Sequence, residues 1–259
     1  MRRSLIDRVL VLETIVTYLF LWIPIVVLVV FSFNSSRQVV VWEHASLHWY
    51  EVLWKDAVLL GALKRSLWVA FLTTVISVLI GTPAALALSR WTFRGKGLMA
   101  RLVDLPLVIP EIVMASSMVI FFGLCGIRLS MTTVVIAHVA FSCSYLIITV
   151  RARLAGFDHT LEEAAMDLGA NEITTFFRVT LPLILPGIVS GGLLVFTLSL
   201  DDYVITSFVA GVGSTTLPLQ IYAMVKQGIS PEINAVSTVL LAMTITLVAI
   251  SHILQRRQH

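Results

Sequence analysis

Thr160-Leu161-Glu162-Glu163-Ala164-Ala165-Met166-Asp167-Leu168-Gly169, continuing to Val179-Thr180-Leu181-Pro182, is a polar stretch set between two long apolar runs. Thr160 followed three residues later by Glu163 has the pattern of a capping box. Leu161, Ala164, Ala165 and Leu168 fall at i, i+3, i+4 and i+7, one face of a helix. Gly169 stands where a left-handed C-cap belongs. Asn171 can then cap a second turn with Ile173, Phe176 and Phe177 on its apolar face, closed by Leu181-Pro182. A helix of about eight residues is marginal alone in water, so its Ala/Leu stripe needs something to lie against. Either the stripe docks on another protein, or Glu163 is only a capping carboxylate and the helix packs on its own bundle.

The surroundings set the class. Hydrophobic residues make up 58% of the 259 positions and charged residues 13%, far more apolar than a soluble domain, so a polytopic all-α membrane protein is expected. The net charge of +3 is too small to suggest nucleic acid as a partner. Cys125 and Cys143 are isolated, and neither a disulfide nor a metal site is expected. No repeat or linker divides the chain, so one transmembrane domain over 1–259 is expected, with its core at about 60–255.

Six spans follow from the apolar runs: about Val9–Phe31, Leu67–Leu88, Leu102–Leu124, Met131–Val150, Leu183–Ala210 and Ile233–Leu254. The third is broken by Pro106 and Pro110 and carries Glu111; the fifth contains Gly187-x3-Gly191 and Asp201-Asp202. An interfacial aromatic belt accounts for Trp42, Trp49, Tyr50 and Trp54 between the first two spans. Six spans place both termini on one side. Taking that side as cytoplasmic puts Arg2, Arg3, Arg8, Arg90, Arg94, Lys96, Arg101, Arg151, Arg153, Arg178, Arg256 and Arg257 inside, twelve of the eighteen Lys and Arg, in keeping with the positive-inside rule. The Thr160–Gly169 helix then emerges in the cytoplasm.

A carboxylate within the hydrocarbon costs roughly 2.5–3.5 kcal/mol unless it faces the bundle interior or water. Glu111, Asp201 and Asp202 are therefore either lining a path for a cation or bonded between helices. Successive helix positions differ by about 100°, so the two aspartates cannot both face one lumen of a regular helix. Asp202 shares its stripe with Ser199 and Thr206 and is the expected pathway acid, leaving Asp201 as a possible interhelical partner. Tyr203 and Tyr222 can add cation–π contacts. His138, alone on an apolar helix, is expected to be a hydrogen-bonded packing residue, and Asp104 to pair with Arg101. No G-x4-G-K-[ST] loop occurs, so this chain does not itself bind ATP.

The spacing Glu163-Ala164-Ala165-x3-Gly169-x9-Val179-x-Leu181-Pro182 resembles the EAA motif of permease subunits in binding-protein-dependent ABC importers, with Val179 where that family usually has Ile. The resemblance implies the six-helix fold of type I importer permeases (MetI-like). It also implies a coupling helix at about 160–169 seated in a groove of a cytoplasmic ATPase, through Leu161, Glu163, Ala164, Ala165, Leu168 and Gly169. Phe33-Asn34-Ser35-Ser36, Phe196-Thr197-Leu198-Ser199-Leu200-Asp201-Asp202, Leu217-Pro218-Leu219-x-Ile221-Tyr222 and Ser230-Pro231-Glu232-Ile233-Asn234-Ala235 are similar to spermidine/putrescine permeases of the PotC/PotI type. That family usually has an acid after the proline of the third span, and Glu111 stands there. The implied function is polyamine import across the bacterial inner membrane. The implied partners are an ATPase dimer holding ATP and Mg, a second homologous permease, a periplasmic polyamine-binding protein and membrane lipid. An importer of another solute, an ion-gradient-driven carrier and an accessory subunit that carries no cargo are the alternatives.

Overall fold

The computed structural model describes residues 5–38, 41–228 and 231–256. In chain order the helices are α1 (Leu5–Phe31), α2 (His48–Lys55), α3 (Ala57–Arg90), α4 (Lys96–Val108), α5 (Glu111–Leu124), α6 (Met131–Leu154), α7 (Thr160–Asp167) and α8 (Glu172–Thr175). A π-helical turn (Phe176–Thr180) leads into α9 (Leu181–Asp201), followed by α10 (Val204–Val209), α11 (Leu217–Gln227) and α12 (Pro231–Arg256). Arg2, Arg3 and Arg257 of the charge count, and Ser230, lie outside the described residues.

Four helical stretches among the described residues are long and apolar enough to cross a membrane: Asp7–Phe31, Ala57–Arg90, Met131–Leu154 and Glu172–Asp201. The pair Lys96–Val108 and Glu111–Leu124, bent by 112°, makes a fifth if it counts as one span. The chain is a multi-pass membrane protein. The third expected span is thus two helices, and the bend falls at Ile109-Pro110 while Pro106 stays inside α4. Proline forces its predecessor out of the helical region, and Ile109 is extended at φ −72°, ψ 129°. The fifth expected span also stops early: α9 ends at Asp201, and Asp202 turns extended before α10 begins.

The chain divides into two compact units, residues 5–60 with 221–244 and residues 61–220 with 245–256. In the first, α1 exposes Val9, Phe20 and Trp22 along with most of its length, a surface stable only in hydrocarbon or against another protein. The following loop is organised by buried Asn34, whose Nδ2 donates to Val41 O at 2.6 Å and whose Oδ1 accepts from Glu43 N at 3.1 Å. Part of the aromatic belt is helical: α2 buries Trp49 and Leu53, four residues apart. Asp56 then opens α3 by accepting from Val58 N and Leu59 N at 2.8 and 3.0 Å.

In the second unit α6 packs against α9 and α10. Gly187 and Gly191 of α9 face it so closely that an added Cβ would stand 2.8 Å from Arg153 Cβ and 2.7 Å from Leu146 Cδ1. Small residues at that spacing let two membrane helices approach. One core lies where Leu146, Val150, Ile184 and Val195 meet Ala85 and Leu88. Another joins Val69, Ala115, Phe122, Val134, Ile205 and Val209.

A buried polar network holds α10 on α6. Asp202 Oδ2 accepts from Thr206 N at 2.8 Å and Thr206 Oγ1 at 2.7 Å, so the aspartate caps the short α10. His138, fully buried on α6, places Nε2 3.2 Å from Asp202 Oδ2 and 2.9 Å from Thr206 Oγ1, with Nδ1 2.7 Å from Ser199 Oγ. Every group is satisfied when Nε2–H donates to the Asp202 side and the Ser199 hydroxyl donates to Nδ1. The histidine is the hydrogen-bonded packing residue expected of it. At the far end of α10, Thr133 Oγ1 donates to Val209 O at 2.8 Å.

His138→Leu fits the volume but strips three contacts and leaves Asp202 with only the bonds from Ile205 and Thr206 of its own segment. It should lower stability by about 1–3 kcal/mol, measured as thermal unfolding of the purified protein in detergent, with His138→Gln intermediate. An unchanged unfolding temperature in His138→Leu would mean the network carries no stability.

Candidate functional site

The helix that dominates the sequence pattern forms where expected but starts differently. α7 begins at Thr160, and no side chain closes a capping box with Glu163. Asp158 takes that role, its Oδ1 accepting from Thr160 N at 3.0 Å and Thr160 Oγ1 at 2.8 Å. These bonds hold the Asp158 carboxyl below the usual range. An aspartate two positions earlier reaches the first free amide as well as the threonine could, and ionised it suits the positive end of the helix.

The C-terminal end matches the expectation. Gly169 takes φ +90°, with Gly169 N bonded to Met166 O at 2.9 Å and Ala170 N to Ala165 O at 3.1 Å, the paired bonds of a Schellman turn. Asn171 caps α8, its Oδ1 accepting from Thr174 N at 2.8 Å. Leu181-Pro182 does not close the segment. The chain widens into the π turn, where Leu181 N bonds back to Phe176 O, and Pro182 sits in the first turn of α9. The wider π turn directly upstream lets the helix continue through Pro182.

α7 has two faces. Leu161 is 47% exposed and Leu168 90% exposed, Glu163 and Ala164 are exposed, and Ala165 is half-buried. No residue of α7 is buried, so its apolar stripe is not covered by this chain. Glu162 faces inward: its Oε1 lies 2.8 Å from Arg90 Nη2 and bonds to the Thr180 hydroxyl, and its Oε2 is 3.5 Å from His159 Nδ1. Arg90 also lies 5.1 Å above the Phe157 ring. Burial pushes the Glu162 carboxyl up, but Thr180, Arg90 and His159 together more than offset it and hold the group below the usual range.

The membrane carboxylates occupy the helix breaks. Glu111 is the first residue of α5, exposed beside Pro110. Asp201 is the last residue of α9, also exposed, and lies within charge–charge range of Asp202 and Glu111. Asp202 has a side chain only 6% exposed. The interhelical partner among the two aspartates is therefore Asp202, bonded to His138, and Asp201 is the more open one. The break between them removes the roughly 100° offset of a regular helix. Tyr203, half-buried, precedes α10. Tyr222 belongs to the first unit, with Lys226 Nζ 4.8 Å over its ring. Asp104 does not pair with Arg101; it lines a cavity of about 630 Å³ with Arg90, Lys96, Arg151 and His159. Among the described residues, no group of three His, Cys, Asp or Glu side chains could hold a metal.

Two partnerships were not anticipated. Glu162 stood in the motif as an unassigned acid, and Arg90 as one of several basic residues of a turn. The stripe Ser199-Asp202-Thr206 was legible, whereas its fourth member, His138, lies on another helix.

Residues 77–259 match the family described as binding-protein-dependent transport system inner membrane component. The chain is 41% identical over 244 residues to the spermidine/putrescine transport system permease protein PotC of Haemophilus influenzae, covering 94% of this chain and 95% of that one. It is 42% identical over 231 residues to the putrescine transport system permease protein PotI of Escherichia coli, covering 86% and 82%. A bacterial alginate ABC transporter, solved in complex with an alginate pentasaccharide-bound periplasmic protein, includes a chain that superposes with a TM-score of 0.73 at 18% identity, over 96% of this chain and 93% of that one. This last likeness is one of fold. By the matched family and the extent of its relatives, the chain belongs to the binding-protein-dependent transport system inner membrane components, the membrane-spanning subunits of ABC importers.

Proposed function

We propose that this chain is the permease subunit of an ATP-driven, binding-protein-dependent importer that carries a polyamine, spermidine or putrescine, into the cytoplasm by alternating access. It is a transport component and not an enzyme. As a single permease domain of six spans with both termini cytoplasmic, it sits in the bacterial inner membrane beside a second, homologous permease. Two ATPase subunits holding ATP and Mg lie beneath, and a periplasmic binding protein delivers the cargo.

The observation that carries this reading is the two-faced α7. It is fastened to its own chain by Glu162 and by the Gly169 turn, yet Leu161 and Leu168 point away uncovered. Burying a leucine is worth about 1.5–3 kcal/mol, so an exposed pair on a fixed helix suits a groove on another protein. Closure of the ATPase dimer then pushes on Leu161, Glu163, Ala164, Ala165, Leu168 and Gly169, and the membrane helices tilt. The choice of a polyamine is supported by the named relatives and by charge. A linear polycation is attracted to carboxylates where water is scarce, and Glu111 and Asp201 are exposed within range of each other. Asp202 adds fixed negative charge behind them, and Tyr203 offers an aromatic face.

Leu161→Asp and Leu168→Asp should each weaken association with the ATPase tenfold or more, from the ~1.5–3 kcal/mol of burial at stake. Co-purification of the ATPase from solubilised membranes measures this, and undiminished recovery in both variants would count against the docking face. Neutralising the open acids, Glu111→Gln with Asp201→Asn, should cut polyamine uptake by about tenfold, equivalent to ~1.4 kcal/mol, while ATPase association is unchanged. Uptake at the wild-type level would remove these residues from the cargo path.

A further inference from the structure

α7 must transmit a push rather than hinge about its ends, and its covalent connections are poorly suited to that. On one side the chain enters through Phe157–His159, on the other it leaves through a single glycine turn, and no residue of the helix is buried. Among the described residues, the side-chain bonds that tie α7 to the membrane helices all come from one carboxylate. Glu162, with a side chain 13% exposed, meets Arg90 at 2.8 Å and the Thr180 hydroxyl. Arg90 is the last residue of α3, and Thr180 is the last residue of the π turn that opens α9. Arg90 further covers Phe157 in the segment that leads into α7. The ends of two long membrane helices and the segment that leads into α7 thus converge on the Glu162–Arg90 pair.

We propose that the Glu162–Arg90–Thr180 cluster is the strut that makes α7, the C-terminal end of α3 and the N-terminal end of α9 move as one body, so that Arg90 and Glu162 are positioning residues of the coupling step. The proposal rests on the coupling role given to α7 above and adds the route by which its motion reaches the membrane.

The geometry favours a strut over an incidental surface pair. Exposed ion pairs contribute little because water and salt screen them, but here both side chains are mostly shielded, at 19% and 13% exposure. A pair that merely steadied α7 would lie within the helix at i, i+3 or i+4, as His159 does at a looser 3.5 Å. The closest charged partner comes instead from α3, whose 34 residues extend about 51 Å at 1.5 Å per residue, longer than the ~30 Å hydrocarbon thickness. A shift at Arg90 is therefore a shift of a helix that reaches the opposite face. The positive guanidinium also suits the negative end of α3, so the joint is favourable from both sides.

The test uses the whole importer, both permeases with the ATPases, reconstituted in lipid vesicles with the loaded binding protein and spermidine or putrescine as cargo. Glu162→Gln and Arg90→Gln are expected to retain the normal proportion of ATPase and to hydrolyse ATP on stimulation, while importing at least fivefold less cargo per ATP. Arg90→Lys, which keeps the charge, should recover at least half of that loss. Thr180→Val, a milder change, should lower cargo per ATP about twofold and serves if the charge variants do not assemble. Cargo per ATP unchanged within error in Thr180→Val and within twofold of wild type in the assembled charge variants would overturn the strut. So would a loss of assembly in all four variants alike, because the cluster would then only hold the fold. Leu168→Asp in the same preparation separates the two levels. If it keeps its ATPase, the docking role of α7 fails; if it loses the ATPase while Glu162→Gln imports normally per ATP, only the strut fails.

Discussion

Hydrocarbon cannot hydrogen-bond a peptide group, so every interruption of a membrane helix must be repaired by the protein itself. The second unit breaks its helices at Pro110 and at Asp202 and widens the backbone ahead of Pro182. At Pro110 the chain turns by 112° and restarts with Glu111 at the head of α5. At Asp202 the chain leaves α9 and the aspartate side chain caps α10, with His138 of α6 bonded to the same oxygen. Ahead of Pro182 the backbone widens into a π turn, and the residue that ends it, Thr180, reaches Glu162.

The acids thereby stand at helix ends and not in the middle of a regular span, and Asp202 is compensated there by backbone amides, a hydroxyl and an imidazole. Asp202 is committed to that repair, while Asp201 and Glu111 keep open surface. α7 follows different rules, being short and without a buried residue. Too short to be stable alone, it is held by Glu162 and the Gly169 turn and leaves its leucines uncovered. Shielded charge inside and apolar surface outside is the reverse of an ordinary surface helix, which is why a partner is proposed for it.

Local chemistry was legible in the sequence and non-local chemistry was not. Gly169, Asn171 and the Ala/Leu stripe follow from spacings of a few residues, and each stands where the pattern puts it. The α7 cap moved to Asp158 because two nearby oxygens could serve the same amides. Pro182 reads as a stop by its own preference, and only the π turn upstream lets the helix run on. No glycine or proline marks the break after Asp201, so the apolar run extends past the end of α9. α2 is eight residues rich in aromatics, which suit an interfacial loop as well as a helix. His138–Asp202 and Arg90–Glu162 join residues far apart in the chain, and a single sequence holds no signal that pairs them.

We propose that the uncovered face of α7 is the seat of the ATPase. A photo-activatable amino acid placed at Leu168, the most exposed leucine of that face, tests it in intact membranes expressing the whole importer. Irradiation should yield one dominant adduct, with a protein bearing a nucleotide-binding phosphate loop. Adducts only with lipid or within the permease itself would contradict the account.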